Sequence, residues 1–410
     1  MVETLQINGE RLWRSLMDLA EIGATPVGGV NRQALTAEDA RGRRLFSDWC
    51  RTAGCTMHTD AIGNLVARLP GRQPGLPAIM IGSHLDTQPT GGKFDGAYGV
   101  MAGLEVLRTL ADAGVRPLRT IELAAWTNEE GTRFTPSMMG SAVYAGLMPL
   151  AAALATQDAD GVSVAQALAG LDDGLSAQCL PRPAAYFEAH IEQGPVLEAA
   201  DCVIGIVTAA QGQCWYRLTF TGKAAHAGST PMGMRADALA AAALAITALN
   251  RIGRDHPPGV ATAGRMVVHP NSPNVIPDSV VMTAEMRHPD DRVRAAMEEA
   301  FLAAVREAAR VHGVQVDVGK VLDQPAAPFD AGCVNAVAEA ARAAGYASME
   351  IVSGAAHDAV AMSRIVPAGM IFVPCAGGVS HNELESAEPA DLAAGCQVLL
   401  DCVRVYAEKP

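Results

Sequence analysis

The strongest constraint on this chain is an apolar run that breaks off into a glycine-rich turn. Ala78-Ile79-Met80-Ile81 reads as a buried strand, and it leads directly into Gly82-Ser83-His84-Leu85-Asp86-Thr87 and on to Phe94-Asp95-Gly96. A short apolar run bounded by turn residues suits a strand inside a sheet. A histidine and two aspartates just past its end are a plausible start for a metal site, so the chain can be searched for the missing ligands.

The same grammar recurs. Gly99 to Leu110 reads as a helix, and Thr120 to Trp126 as a strand that ends at Thr127-Asn128-Glu129-Glu130. Ala185 to Ala189 is another strand, ending at His190. Upstream, Leu12 to Ile22 is an amphipathic helix pattern, and Thr36-Ala37-Glu38-Asp39 resembles a helix-start box with Gly54 as the stop. Late in the chain come a helix from Ala331, a strand at Gly369 to Val373 and a final helix from Pro389. Strands alternating with helices predict an α/β fold with an open, largely parallel sheet. In such sheets ligands bind beyond the carboxyl ends of the strands, where His84, Glu129, Glu130 and His190 all fall.

The middle of the chain reads differently. Cys214 to Phe220, Thr262 to Val268, Ser279 to Arg287 and Val314 to Val318 are strand patterns, with helices at Ala236 to Ile252 and Asp291 to Val311. The order βαββαβ is that of a ferredoxin-like unit. The expected organisation is a discontinuous catalytic domain, residues 1–212 and 330–410, interrupted by an inserted domain at residues 213–329.

Composition narrows the function. With 410 residues, two domains are expected. A net charge of −13 argues against a nucleic-acid partner, whose phosphates require a basic surface. Nine cysteines without a C-x-x-C pair read as reduced thiols of a cytoplasmic protein. Met1 to Glu10 lacks an apolar core, so no signal peptide is expected. Ala238 to Leu249 is too short for a membrane span, and no membrane association is expected.

Five residues form the candidate metal set: His84, Asp95, Glu130, His190 and His381. Zinc accepts imidazole nitrogen and carboxylate oxygen, and a catalytic site leaves a position for water. Three neutral imidazoles and two carboxylates leave a charge of about +2 over two zinc ions. Asp86 is placed to hold the second nitrogen of His84. Each residue also has a plainer reading. A single strand-end histidine is usually a hydrogen-bonded residue, Glu129-Glu130 suits a solvated helix start, and Asp95-Gly96 suits a turn. His58, His256, His269, His288 and His312 have no comparable setting and read as structural or exposed.

Taken in order, Gly82-Ser-His84-Leu-Asp86-Thr, Gly92-Lys-Phe-Asp95-Gly, Asn128-Glu129-Glu130-Gly, His190-Ile-Glu-Gln193-Gly194 and Ser380-His381-Asn-Glu383 resemble the M20 family of dinuclear zinc amidohydrolases. Within it they resemble the hydantoinase/carbamoylase branch of N-carbamoyl-L-amino acid hydrolases, β-ureidopropionases and allantoate amidohydrolases. The resemblance implies that Asp95 bridges two divalent ions, with His84 and His190 completing one site and Glu130 and His381 the other. It implies Glu129 as general base, with Asp86 in support. Zn²⁺ is the expected metal, and Mn²⁺, Co²⁺ or Ni²⁺ also suit these N/O ligands.

The inserted segment Gly222-Lys-Ala-Ala-His226-Ala-Gly-Ser-Thr-Pro231 resembles the family motif whose histidine stabilises the oxyanion. The resemblance implies that this domain dimerises and acts as a lid, giving a homodimer. Asn274 and Arg287 fall in segments resembling the pocket for a substrate carboxylate, Gln193 resembles a contact to the ureido group, and His357 is expected near the substrate. The implied activity is hydrolysis of the linear C–N bond of an N-carbamoyl amino acid, a small-molecule substrate. Allantoate amidohydrolase and β-ureidopropionase are the near alternatives. Aminoacylase, dipeptidase or a non-catalytic metal scaffold stand further off.

Overall fold

The computed structural model describes residues 5–171, 175 and 177–409. The first four residues of the stretch expected to lack a signal peptide lie outside that range. The chain forms two compact units, Met1–Thr208 with Pro328–Pro410, and Ala209–Ala327.

The first unit is an α/β sandwich. Its sheet runs in the order Thr56–Thr59, Leu65–Leu69, Ile121–Trp126, Ile79–His84, Ala185–Ile191, Ala368–Val373 and Ile204–Ala210. The central pairs, from Ile121–Trp126 through Ala368–Val373, are parallel. Antiparallel strands close both sides. Every residue of Ile79–His84, Ile121–Trp126 and Ala185–Ile191 is buried, as a sheet covered on both faces requires. Alternation along Ile79–His84 feeds two cores. Ile79 and Ile81 pack with Val100, Leu104 and Leu399, while Met80 packs with Trp126, Tyr186 and Phe372.

The helix Ala97–Asp112 lies close on this sheet, and its glycines permit that approach. A Cβ at Gly99 would stand 2.3 Å from the Ala189 carbonyl oxygen, and one at Gly103 would stand 2.4 Å from Leu123. Leu104 is fully buried beneath it, so truncation to alanine should cost about 2–5 kcal/mol. The helices expected upstream are present as Gly9–Ala20 and Ala37–Thr52. Thr36 caps the second by accepting the Asp39 N–H, and Gly54 follows it with φ +84°. The strand holding His190 runs two residues further than its apolar run suggests, so His190 lies inside the strand. The strands at Thr56–Thr59, Leu65–Leu69 and Ser348–Ser353 carry no clear period-2 pattern and emerge only from pairing.

The second unit is a four-stranded antiparallel sheet, ordered Gln315–Gln324, Gly212–Thr221, Ser279–His288 and Val260–His269. Helices Ala238–Asp255 and Asp291–Val311 cover one face. Their N-termini are capped by Asp237 and Asp290, which accept N–H bonds from Ala240 and Arg292. Strand Ser279–His288 alternates strictly, burying Val280, Met282, Ala284 and Met286 against Ala241, Ala245, Phe301 and Val305. The order strand–helix–strand–strand–helix–strand is the ferredoxin-like one. A small ribbon pairs Ala225–His226 with Val275–Ile276. Among the described residues, no helix is long and apolar enough to cross a membrane.

Candidate active site

In the first unit the strand ends converge. Asp95 is 4% exposed and stands at the middle. Its Oδ1 lies 3.6 Å from His84 Nε2 and 3.3 Å from His190 Nε2, and its Oδ2 lies 3.3 Å from His381 Nε2. His381 Nε2 is in turn 3.4 Å from Glu130 Oε2. Two donor clusters result, His84–Asp95–His190 and Asp95–Glu130–His381, with Asp95 in both. Glu129 Oε2 is 3.5 Å from His84 Nε2.

The tautomers follow from the backbone. His84 Nδ1 meets the Asp86 carbonyl oxygen at 2.9 Å, and His190 Nδ1 meets the Ile191 carbonyl oxygen at 2.9 Å. In the neutral ring each Nδ1 therefore carries the proton and leaves the lone pair on Nε2. The Gly96 N–H donates to His190 Nε2 at 3.1 Å, in keeping with that assignment. Gly96 has φ +63°, and a Cβ there would lie 2.3 Å from the His84 ring, so only glycine fits.

Asp86 meets the second nitrogen of His84 through its main-chain carbonyl, with its Oδ1 4.0 Å from the same Nδ1. Its carboxylate also accepts the N–H groups of Glu129 at 3.2 Å and Glu130 at 3.1 Å. Those two amides point the same way because Asn128 adopts φ +57°, and a carboxylate is the natural acceptor for such a pair. Left-handed backbone also occurs at Gln193 and His381. Strain of this kind collects at functional sites.

Electrostatics match a cluster built around cations. Burial disfavours charge on His84, yet Glu129, Asp95 and Asp86 outweigh it and raise its pKa well above the usual value. Burial likewise opposes ionisation of Asp95, but His190, His381 and His84 hold its carboxyl well below the ordinary range. Burial, then Asp95, pushes Glu130 up to about 7. Glu130 Oε1 is buried with no hydrogen-bond partner, although Oε2 accepts from Gln88 Nε2 at 2.6 Å. A free carboxylate oxygen and imidazole lone pairs converging on a shared aspartate fit divalent metal ions of the zinc type.

The structure adds residues that no local motif reveals. Glu385 is buried and accepts the N–H groups of Phe94 at 2.8 Å and Asp95 at 3.1 Å, while Ser380 Oγ lies 3.0 Å from both Glu385 Oε2 and Asp95 Oδ2. The loops bearing Asp95 and His381 are thereby joined. A Cβ at Gly92 would meet the Glu385 carboxyl at 2.1 Å. Behind the strands, fully buried Glu188 accepts from Ser83 Oγ at 2.8 Å, Tyr186 OH at 3.1 Å and the Ala359 N–H at 2.8 Å. Glu385 lies two residues after Glu383 and Glu188 two residues before His190, and that proximity was the only available signal.

Gln193 Nε2 donates to Asp95 Oδ2 at 2.8 Å, and its Oε1 is buried without a partner. His357 is 2% exposed, and its ring lies 4.5 Å from that of His190, with Nε2 3.0 Å from Ser353 Oγ. Burial and His190 depress its pKa well below the usual value. This placement puts His357 behind a candidate ligand, packed against it.

In the second unit, His226 is exposed at the strand pair His226↔Val275. Its Nδ1 accepts the N–H groups of Gly228 at 3.0 Å and Ser229 at 3.1 Å. The proton therefore sits on Nε2, which faces outward as a donor. Asn274 adjoins it, its carbonyl accepting the Ala227 N–H at 2.9 Å. Arg287 stands elsewhere, near the far end of the strand that starts at Ser279 and paired with Glu285. Ser279 and Arg287 are roughly 27 Å apart along that strand at about 3.4 Å per residue, and Ser279 pairs with Thr221, the end of the strand that leads on to His226.

Imidazole and carboxylate donors gathered on strand ends and the loops after them, buried except for the half-exposed His381, with a further glutamate alongside, are the layout of a metal-assisted hydrolase. A family-wide profile described as peptidase family M20/M25/M40 matches residues 80–405. The chain is 43% identical over 411 residues to an N-carbamoyl-L-amino-acid amidohydrolase of Rhizobium meliloti, covering 99% of this chain and 98% of that protein. It is 34% identical to the ureidoglycolate hydrolase of Arabidopsis thaliana, covering 97% of this chain and 87% of that protein. The crystal structure of a hydantoinase/carbamoylase family amidase from Burkholderia multivorans superposes with a TM-score of 0.96 at 48% identity, over 99% of both chains. The chain belongs to the M20/M25/M40 peptidase family, in its hydantoinase/carbamoylase branch.

Proposed function

We propose that this protein is an N-carbamoyl-L-amino acid amidohydrolase. It hydrolyses the ureido C–N bond and releases the amino acid, carbon dioxide and ammonia. The observation that carries the reaction class is Asp95, whose two oxygens are divided between two donor clusters. The substrate class is supported by the full-length likeness to the Rhizobium meliloti enzyme.

Two divalent ions, best suited by Zn²⁺, would be held by His84, Asp95 and His190 and by Asp95, Glu130 and His381. When bound, they supply Lewis-acid polarisation of the ureido carbonyl and a more acidic water. Glu129, next to His84, takes the proton from the attacking water and returns it to the leaving nitrogen. The carbonyl carbon gains the water oxygen and loses the amino-acid nitrogen, and the resulting carbamate separates into carbon dioxide and ammonia. Gln193 is held by Asp95 through Nε2, which leaves Oε1 to accept from the ureido NH₂. His226 offers Nε2–H to the developing oxyanion. Asn274 and Arg287 bind the amino-acid carboxylate, for which the guanidinium fork is suited.

The first unit would then be the catalytic domain, and the unit Ala209–Ala327 a dimerisation and lid domain. One copy of that unit keeps His226 and Asn274 far from Arg287, so a single small substrate that uses all three draws on two copies. That separation supports a homodimer. A cytoplasmic setting accords with nine cysteines that are all free thiols.

Hydrolysis of ureidoglycolate is the second reading, favoured by the Arabidopsis relative. The test is ammonia release from metal-loaded protein given N-carbamoyl-L-amino acids, N-carbamoyl-β-alanine, allantoate or ureidoglycolate, and release of a free α-amino group from N-acetyl amino acids and dipeptides, which yield no ammonia. The proposal expects the highest kcat/KM on N-carbamoyl-L-amino acids. Turnover of only the last two groups overturns it.

A further inference from the structure

Arg32 is 1% exposed, and the reaction proposed above does not use it. A guanidinium removed from water is costly unless its charge and donors are answered. Here the donors go to three main-chain carbonyls. Nε reaches Leu85 O at 2.8 Å, and Nη1 reaches Leu19 O at 3.0 Å and Ile22 O at 2.9 Å. Leu19 and Ile22 close the C-terminal end of helix Gly9–Ala20, where the helix dipole favours a cation. The main chain of Arg32 is bound to the same turn as its side chain. Its N–H donates to Thr87 Oγ1 at 2.8 Å, and the Thr87 N–H donates to its carbonyl at 3.0 Å. Helix Ala37–Thr52 seals it in, since a Cβ at Gly42 would fall 2.9 Å from Arg32 Cδ.

Leu85 is the residue between His84 and Asp86. The Asp86 carbonyl orients the His84 ring, and the Asp86 carboxylate holds the amides of Glu129 and Glu130. Movement of the Leu85 peptide therefore reaches a metal-binding candidate, the base and a second candidate together.

We propose that Arg32 is a positioning residue for the metal centre, fixing the Leu85 carbonyl and through it His84 and the Glu129–Glu130 turn. This rests on the metal-dependent reading above. The planar fork reaches carbonyls on two segments at once, which a lysine ammonium cannot reproduce.

The test strips metal from wild type, Arg32→Lys and Arg32→Met. Zn²⁺ is then titrated against a chromophoric chelator, with thermal unfolding of the metal-free forms in parallel. Below the unfolding temperature, affinity in the variants should fall about 10–100-fold, as for other residues that orient metal ligands, and Met should be the more impaired. Should Met fail to fold, Lys carries the measurement. Wild-type affinity in folded Arg32→Lys overturns the positioning role. A wild-type protein that binds no Zn²⁺ overturns the metal reading instead.

Discussion

The two units place most of their functional side chains in opposite ways, the half-exposed His381 being the exception in the first. In the first, Asp95, His84, His190 and Glu129 are all less than 10% exposed and fixed by neighbours on several strands. In the second, His226 and Asn274 are exposed and held by short-range backbone bonds within one ribbon. The first arrangement suits groups that must bind cations with fixed geometry. The second leaves its groups open to solvent, as the contacts to substrate proposed above require. Mutations should therefore separate cleanly, the first unit governing metal and chemistry and the second governing transition-state and substrate contacts.

The largest effect should come from Glu129→Gln. Activity should fall by about 10²–10⁴-fold or more, with metal content unchanged by elemental analysis. Activity near wild type would break the assignment of Glu129 as the base. Next, Gly96→Ala should weaken metal binding and lower Tm, because the new methyl group meets the His84 ring at a backbone position with φ +63°. Equal metal affinity in that variant would show that the His84 ring is not as constrained as its contacts imply.

His226→Ala should lower kcat by about 10²–10³-fold, leaving metal content and unfolding temperature unchanged because the side chain is exposed. Smallest in rate but sharpest for the comparison is a mixture of His226→Ala and Arg287→Ala chains. Each alone should be nearly inactive. Hybrid dimers should regain part of the activity, since one of their two sites then receives both intact residues from opposite chains. No recovery in verified hybrids would place both groups on one chain for each site.

The contrast also explains what the sequence made legible. His84, Glu130 and His190 lie at or near the ends of apolar strand patterns and Asp95 in the glycine-rich turn that follows one, so local pattern made them candidates, and only as a set did they outweigh their plainer readings. The βαββαβ order was visible because helices Ala238–Asp255 and Asp291–Val311 and strand Ser279–His288 keep regular periods. Glu385 was not visible, because its contact with Asp95 spans 290 residues. Arg32 was hidden for a different reason, its partners being backbone carbonyls that carry no side-chain signal. The additional hold of the Asp86 carboxylate on the Glu129 and Glu130 amides was hidden, because it depends on backbone conformation, with Asn128 at φ +57°. The contact of His357 with His190 was hidden because two folded segments, not one motif, bring the rings together.

Metal stoichiometry of Asp95→Ala beside His84→Ala tests the shared centre most directly. After loading with Zn²⁺ and removal of excess, wild type should hold two equivalents per chain. Asp95→Ala should hold none, because its two oxygens serve both clusters, and His84→Ala should retain the ion of the Glu130–His381 cluster. An Asp95→Ala protein that keeps one full equivalent, folded and tightly bound, would contradict the account.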